Sequence, residues 1–104
     1  MLFITYWELN EGMSLAERLQ VGQKLMSSGL FPPPGVNIIR WDSTPDGWGV
    51  LIAETDSVAA LNDAISMWRA VGTGFFKMTK TAPAQPVQEA LPQSGELLGK
   101  LSAA

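Results

Sequence analysis

Hydrophobic positions follow two rhythms along the chain, one of period two and one of period three to four. Residues 2–8, Leu-Phe-Ile-Thr-Tyr-Trp-Glu, are mostly β-formers without helical spacing and predict a strand. Leu2, Ile4 and Tyr6 fall on one face of it, Phe3, Thr5 and Trp7 on the other. Asn10-Glu11-Gly12 breaks the run. Ser14 to Ser28 then reads as a helix, opened by a capping box of Ser14 and Glu17. Leu15, Leu19 and Met26 form its apolar stripe, with Val21 and Leu25 flanking. Gly22 lies on that stripe, where it is expected to let the helix approach a sheet closely. Gly29 is a natural stop, and Pro32-Pro33-Pro34-Gly35 a stiff connector.

Val36 to Asp42 and Trp48 to Thr55 predict two further strands. Ser43-Thr44-Pro45-Asp46-Gly47 joins them as a five-residue hairpin loop, because Pro fixes φ and Gly accepts positive φ. Ser57 to Val71 predicts a second helix with the stripe Val58, Leu61, Ile65 and Trp68, flanked by Ala64 and Val71. Gly72-Thr73-Gly74 ends it. Phe75 to Thr81 predicts a fourth strand, and Lys77 and Lys80 suit the edge of a sheet. Beyond Ala82 the composition changes. Residues 1–82 read as one domain, and 83–104 as a Pro-containing tail that is loosely docked, swapped or disordered.

The order β-α-β-β-α-β implies an α+β, ferredoxin-like fold: a four-stranded antiparallel sheet with two helices on one face. The second face is then expected to be wet or covered. In this chain both faces are apolar. Phe3 and Trp7 oppose Ile4 and Tyr6, Ile39 and Trp41 oppose Val36 and Ile38, and Leu51 and Ala53 oppose Trp48, Val50 and Ile52. A second copy packed sheet to sheet is the simplest cover, so a homodimer is expected.

Composition narrows the chemistry. Among 104 residues there is no Cys and no His, which excludes a structural zinc site, a disulfide framework, His- or Cys-ligated haem, and Ser-His-Asp or Cys-His catalysis. Seven basic and ten acidic side chains leave a formal charge of −3, against a nucleic-acid partner. The charged fraction, 16%, lies below the usual ~25%, in keeping with a covered surface. No apolar run approaches the ~18 residues of a membrane span, and the N-terminus lacks the basic opening of a signal peptide. The expected location is the cytoplasm, with no membrane partner.

Certain residue patterns carry a resemblance. They are Phe3-Ile4-Thr5-Tyr6-Trp7, Pro32-Pro33-Pro34-Gly35-Val36, Ile38-Ile39-Arg40-Trp41-Asp42, Gly47-Trp48-Gly49-Val50-Leu51-Ile52-Ala53-Glu54 and Ser66-Met67-Trp68. From Leu2 to about Pro86 the chain resembles the dimeric α+β barrel superfamily, and within it a family of small bacterial domains of unknown function. That superfamily includes cofactor-free monooxygenases, small isomerases and decyclases, haem enzymes and stress-related proteins. The resemblance implies a cavity between each protomer's sheet and its helices. Its haem branches typically use a His that this chain lacks.

The candidate ligand site is Tyr6, Arg40, Trp48 and Trp68, with no cofactor and no metal. Trp7, Trp41, Trp48 and Trp68 can line an aromatic cavity or simply fill core and interface. Arg40, in register with Val36 and Ile38, is expected to point into the core. There it either clamps a carboxylate or carbonyl or pairs with Asp42 or Glu54. Tyr6, Glu8 and Glu54 are the candidate proton-transfer groups, Glu8 and Glu54 reading equally as solvated strand ends. Asp42, Asp46 and Glu54 match no cation-binding loop, and turn chemistry explains Asp46. Two functions follow: a protein binding a small apolar or carbonyl/carboxylate-bearing molecule, or a non-catalytic interaction module.

Overall fold

Alternation along β1 (Leu2–Leu9) sets the architecture: Phe3, Thr5 and Trp7 are buried, while Ile4 is exposed and Tyr6 half-buried. The computed structural model describes residues 1–104. After β1 come α1 (Leu15–Ser27), β2 (Asn37–Ser43), β3 (Trp48–Glu54), α2 (Val58–Val71), β4 (Phe76–Pro83) and α3 (Val87–Ala103). The strands form one sheet in the order β2-β3-β1-β4, every neighbour antiparallel. This is the expected ferredoxin-like α+β topology. β4 is an edge, as Lys77 and Lys80 suggest.

One sheet face lies under the helices. Phe3 and Ala53 pack with Leu61 of α2 and with Val36. A second cluster joins Val21 and Leu25 of α1, Ala64 and Trp68 of α2, and Phe31 and Phe75. No helix covers the opposite face. Ile4, Tyr6 and Glu8 of β1 lie there with Trp48, Val50 and Ile52 of β3. No helix of the chain is long and apolar enough to cross a membrane.

The register of β2 departs from the expected alternation. Ile38 faces Ala53, but Arg40, two positions on, faces the adjacent Ile52, and Trp41 faces Leu51. Ile39 is therefore an extra residue, a bulge. One added residue reverses the parity of all that follows. Ile38 and Trp41 consequently share the helix-covered face with Ala53 and Leu51. Arg40 and Asp42 turn to the open face with Ile52 and Val50. The expectation that Arg40 enters the core beside Ile38 is corrected by this bulge.

α1 also presents a different stripe from the one expected. The capping box is formed, with the Glu17 amide donating to Ser14 Oγ at 3.1 Å. Yet Val21 and Leu25 are buried, while Leu15, Leu19 and Met26 are exposed. Helix–helix contact decides the rotation. Gly22 faces Trp68 of α2, and Gly72, just past α2, abuts Val21. Gly22 thus admits the neighbouring helix rather than the sheet. In α2 Ser57 forms the cap, the Leu61, Ile65, Trp68 stripe is as expected, and Val58 is exposed. The hairpin pairs one residue further than expected, because Ser43 still faces Gly49.

The tail is a 17-residue helix with Pro92 inside it and no buried residue. It projects from the body. The radius of gyration is 17.4 Å, against about 13 Å for a compact chain of this size.

Candidate functional site

Between sheet and helices lies a cavity of about 130 Å³ whose lining is entirely apolar. Trp7 and Leu51 supply its sheet side, and Ile65 and Trp68 its α2 side. Phe31, Trp41, Phe75 and Phe76 complete the aromatic wall, and Leu9 closes it. Trp68 is the hub. Its ring centroid lies 5.4 Å from Phe31, 5.5 Å from Trp41 and 5.3 Å from Phe75, all near edge-to-face. That geometry suits the aromatic quadrupole and fixes each ring against its neighbours. Trp41 is 41% exposed and marks the solvent side. Trp7 is buried, and its indole N–H has no hydrogen-bond partner.

A second hollow, about 410 Å³, lies between α2 and β4. Ile65 lines both hollows. Arg69, in the last turn of α2, reaches over it and donates from Nη2 to Thr79 Oγ1 at 2.7 Å. The same guanidinium sits 5.6 Å from the Phe76 ring, a cation–π contact. Thr5 and Thr81 join their hydroxyls at 2.9 Å across β1 and β4.

Of the four residues expected to share a pocket, Trp68 lies in the aromatic cavity. Tyr6, Arg40 and Trp48 gather on the open sheet face instead. Tyr6 and Trp48 have ring centroids 5.8 Å apart. Arg40 Nε donates to Asp42 Oδ2 at 2.6 Å, so its charge is met by the carboxylate two residues on. The Tyr6 hydroxyl donates weakly to Glu8 Oε1 at 3.5 Å. Burial first, and then the Glu8 carboxylate, push the Tyr6 phenol above its usual range. Glu54 pairs with the N-terminal ammonium, which Asp56 also approaches at 3.3 Å. No group of three or more acidic side chains is placed to hold a metal ion.

Phe31, Phe75 and Arg69 belong to these hollows and have no place in the site expected from sequence. Trp41, one of the four tryptophans expected to line a cavity or fill the core, reaches the cavity through the bulge. Phe31, immediately before the proline run, is buried in the core. Arg69 had one legible signal, its position one residue after the apolar Trp68.

Solved structures share this architecture. A putative antibiotic biosynthesis monooxygenase from Bacteroides thetaiotaomicron superposes with a TM-score of 0.57 at 13% identity, covering 84% of this chain and 89% of that one. One from Nitrosomonas europaea gives 0.52 at 12% identity, covering 83% and 97%. At such identity the likeness is one of fold, the ferredoxin-like α+β arrangement. No curated protein matches the sequence significantly. Residues 1–95 match the family described as Domain of unknown function (DUF3303), and the chain belongs to that family.

Proposed function

We propose that this protein binds a small apolar or carbonyl-bearing molecule between its sheet and helices, and does so as a homodimer. The observation that carries the reading is the aromatic cavity of about 130 Å³, lined by nine apolar side chains. A dry cavity of about 150 Å³ takes up benzene, so the volume suits one ring. None of Tyr6, Glu8, Glu54 or Arg40 faces this cavity. The proposal is therefore binding, with any chemistry resting on the bound molecule.

The dimer reading rests on the open sheet face. Ile4 and Trp48 are 40% and 38% exposed there, beside Val50 and Ile52. Two such faces pressed together about a two-fold axis would bury both sets. In the same proposal residues 1–82 are the barrel domain and 83–104 an appendage. A second reading, an interaction module, is favoured by the exposed leucines of that appendage, Leu91, Leu97, Leu98 and Leu101.

The four indole N–H resonances in a ¹H–¹⁵N spectrum test the binding proposal. Titrated with 3-phenylpropionamide, Trp7, Trp41 and Trp68 should shift saturably while Trp48 stays still. Movement of Trp48 alone would transfer the site to the open face, and no movement would defeat the reading.

A further inference from the structure

We infer that the cleft between α2 and β4 is the anion end of the ligand site: Arg69 and Thr79 receive a carboxylate whose aromatic or similarly flat body enters the neighbouring aromatic cavity. The inference rests on the binding reading above and adds the ligand's class, an aryl-alkanoic acid.

Charge is the first argument. The chain carries a net charge of −3, yet the residues lining this cleft include no Asp and no Glu. Its cation has no acidic partner. The ion pairs of the protein involve the N-terminus with Glu54 and Asp56, Arg40 with Asp42, and Lys77 with Glu8. Arg69 is absent from all of them. It is held nonetheless, by Thr79 at 2.7 Å and by the Phe76 ring at 5.6 Å. A guanidinium has five N–H donors in a fixed fork, and this one gives a single side-chain hydrogen bond within the chain. The remaining donors are pre-oriented for an external acceptor, and a fork matches a carboxylate bidentately.

Donor chemistry is the second. Thr79 Oγ1 accepts from Arg69, which leaves its own proton to give. Hydroxyl and guanidinium, joined at 2.7 Å, form a polar end beside a cavity whose lining is wholly apolar.

Continuity is the third. Ile65 borders both hollows. Phe76, beneath the guanidinium, is a wall of the aromatic cavity, and Trp7, another wall, is the strand partner of Thr79. Neighbouring strands lie about 4.8 Å apart. A ligand reaching from the cavity to Arg69 needs a short saturated chain between ring and carboxylate, and 3-phenylpropionate is the probe that carries one.

The test compares 3-phenylpropionate with its neutral amide by calorimetry in low salt, in the natural chain and in Arg69→Gln. Arg69 is exposed, and glutamine keeps a donor for Thr79, so folding is preserved. The acid should bind about tenfold more tightly than the amide, the order of one charge-assisted hydrogen bond. Arg69→Gln should erase that preference, bringing the acid's affinity down to that of the amide. Arg69→Lys should keep part of it. If the amide binds at the three cavity tryptophans but the acid gains nothing, or keeps its gain in Arg69→Gln, this inference is overturned and the binding reading stands. If neither compound binds, both are overturned.

Discussion

Ile38 and Trp41 sit three positions apart in β2 and face the same side of the sheet, because Ile39 is an added residue in the ladder. A regular strand would place them on opposite sides. With Ile39 set out of the ladder, Trp41 lies against Phe31 and Trp68, at 5.3 and 5.5 Å, and Arg40 lies on the open face. Deleting Ile39 closes the ladder without changing parity, since Arg40 already faces Ile52. The shortened chain is expected to fold, with Trp41 still against Trp68. Retained exciton coupling of the tryptophans in near-ultraviolet circular dichroism checks this. Loss of the coupled bands would show that the bulge itself holds Trp41 in place.

Gly49 lies where β3 passes beneath Trp7. A Cβ at this position would meet the Asp42 carbonyl oxygen and the Trp7 indole. A backbone oxygen cannot swing aside as a side chain does. Gly49→Ala is expected to destabilise the fold by about 3 kcal/mol, the upper range for overpacking a core. Urea unfolding followed by tryptophan emission measures it, and a loss under about 1 kcal/mol would mean that the strands spread to accommodate the methyl.

The order of elements, the Ser14 cap of α1 and the edge position of β4 were all legible, because each depends on local pattern and turn chemistry. The site was legible only in part. Pleat parity is a global property of a strand, and a bulge at Ile39 leaves no mark in residue type, so Arg40 and Trp41 exchanged faces. The rotation of α1 was decided by Gly22 and Gly72 admitting side chains from a neighbouring helix, a tertiary contact that periodicity does not contain. Trp68 was found because its position follows from α2 alone.

The raised phenol of Tyr6 gives a pH dependence with a definite sign. Its folded value lies above the usual 10.0, so the folded state holds the proton more firmly than the unfolded chain. The contribution is complete below about pH 10 and is lost as pH rises through the folded value. Alkaline unfolding curves should therefore fall more steeply for the natural chain than for Tyr6→Phe, which lacks the titrating group. Parallel curves would place the loss elsewhere.

Trp48 touches Tyr6 on the open face and lies outside both buried clusters. Trp48→Glu should thus leave the protomer folded while putting a charge where a second copy is proposed to pack. Light scattering is expected to show a dimeric mass for the natural chain and a monomeric one for the variant, with unchanged far-ultraviolet dichroism. A natural chain that is monomeric at micromolar concentration would remove the sheet-face dimer.

Val87, Leu91, Leu98 and Leu101 repeat along α3 at intervals that place them on one stripe, and all are exposed. A helix that buries nothing adds little to the body it leaves. Truncation after Pro86 should therefore shift the unfolding free energy of the body by no more than about 0.5 kcal/mol, the range of surface changes. The leucine stripe needs a surface, and the exposed Leu15, Leu19 and Met26 of α1 offer one on a second copy. If α3 reaches across in this way, truncation weakens the dimer about tenfold or more, roughly 1.4 kcal/mol, without abolishing the sheet-face contact. Sedimentation equilibrium of the two chains measures the difference, and equal dissociation constants would assign the stripe to a different protein.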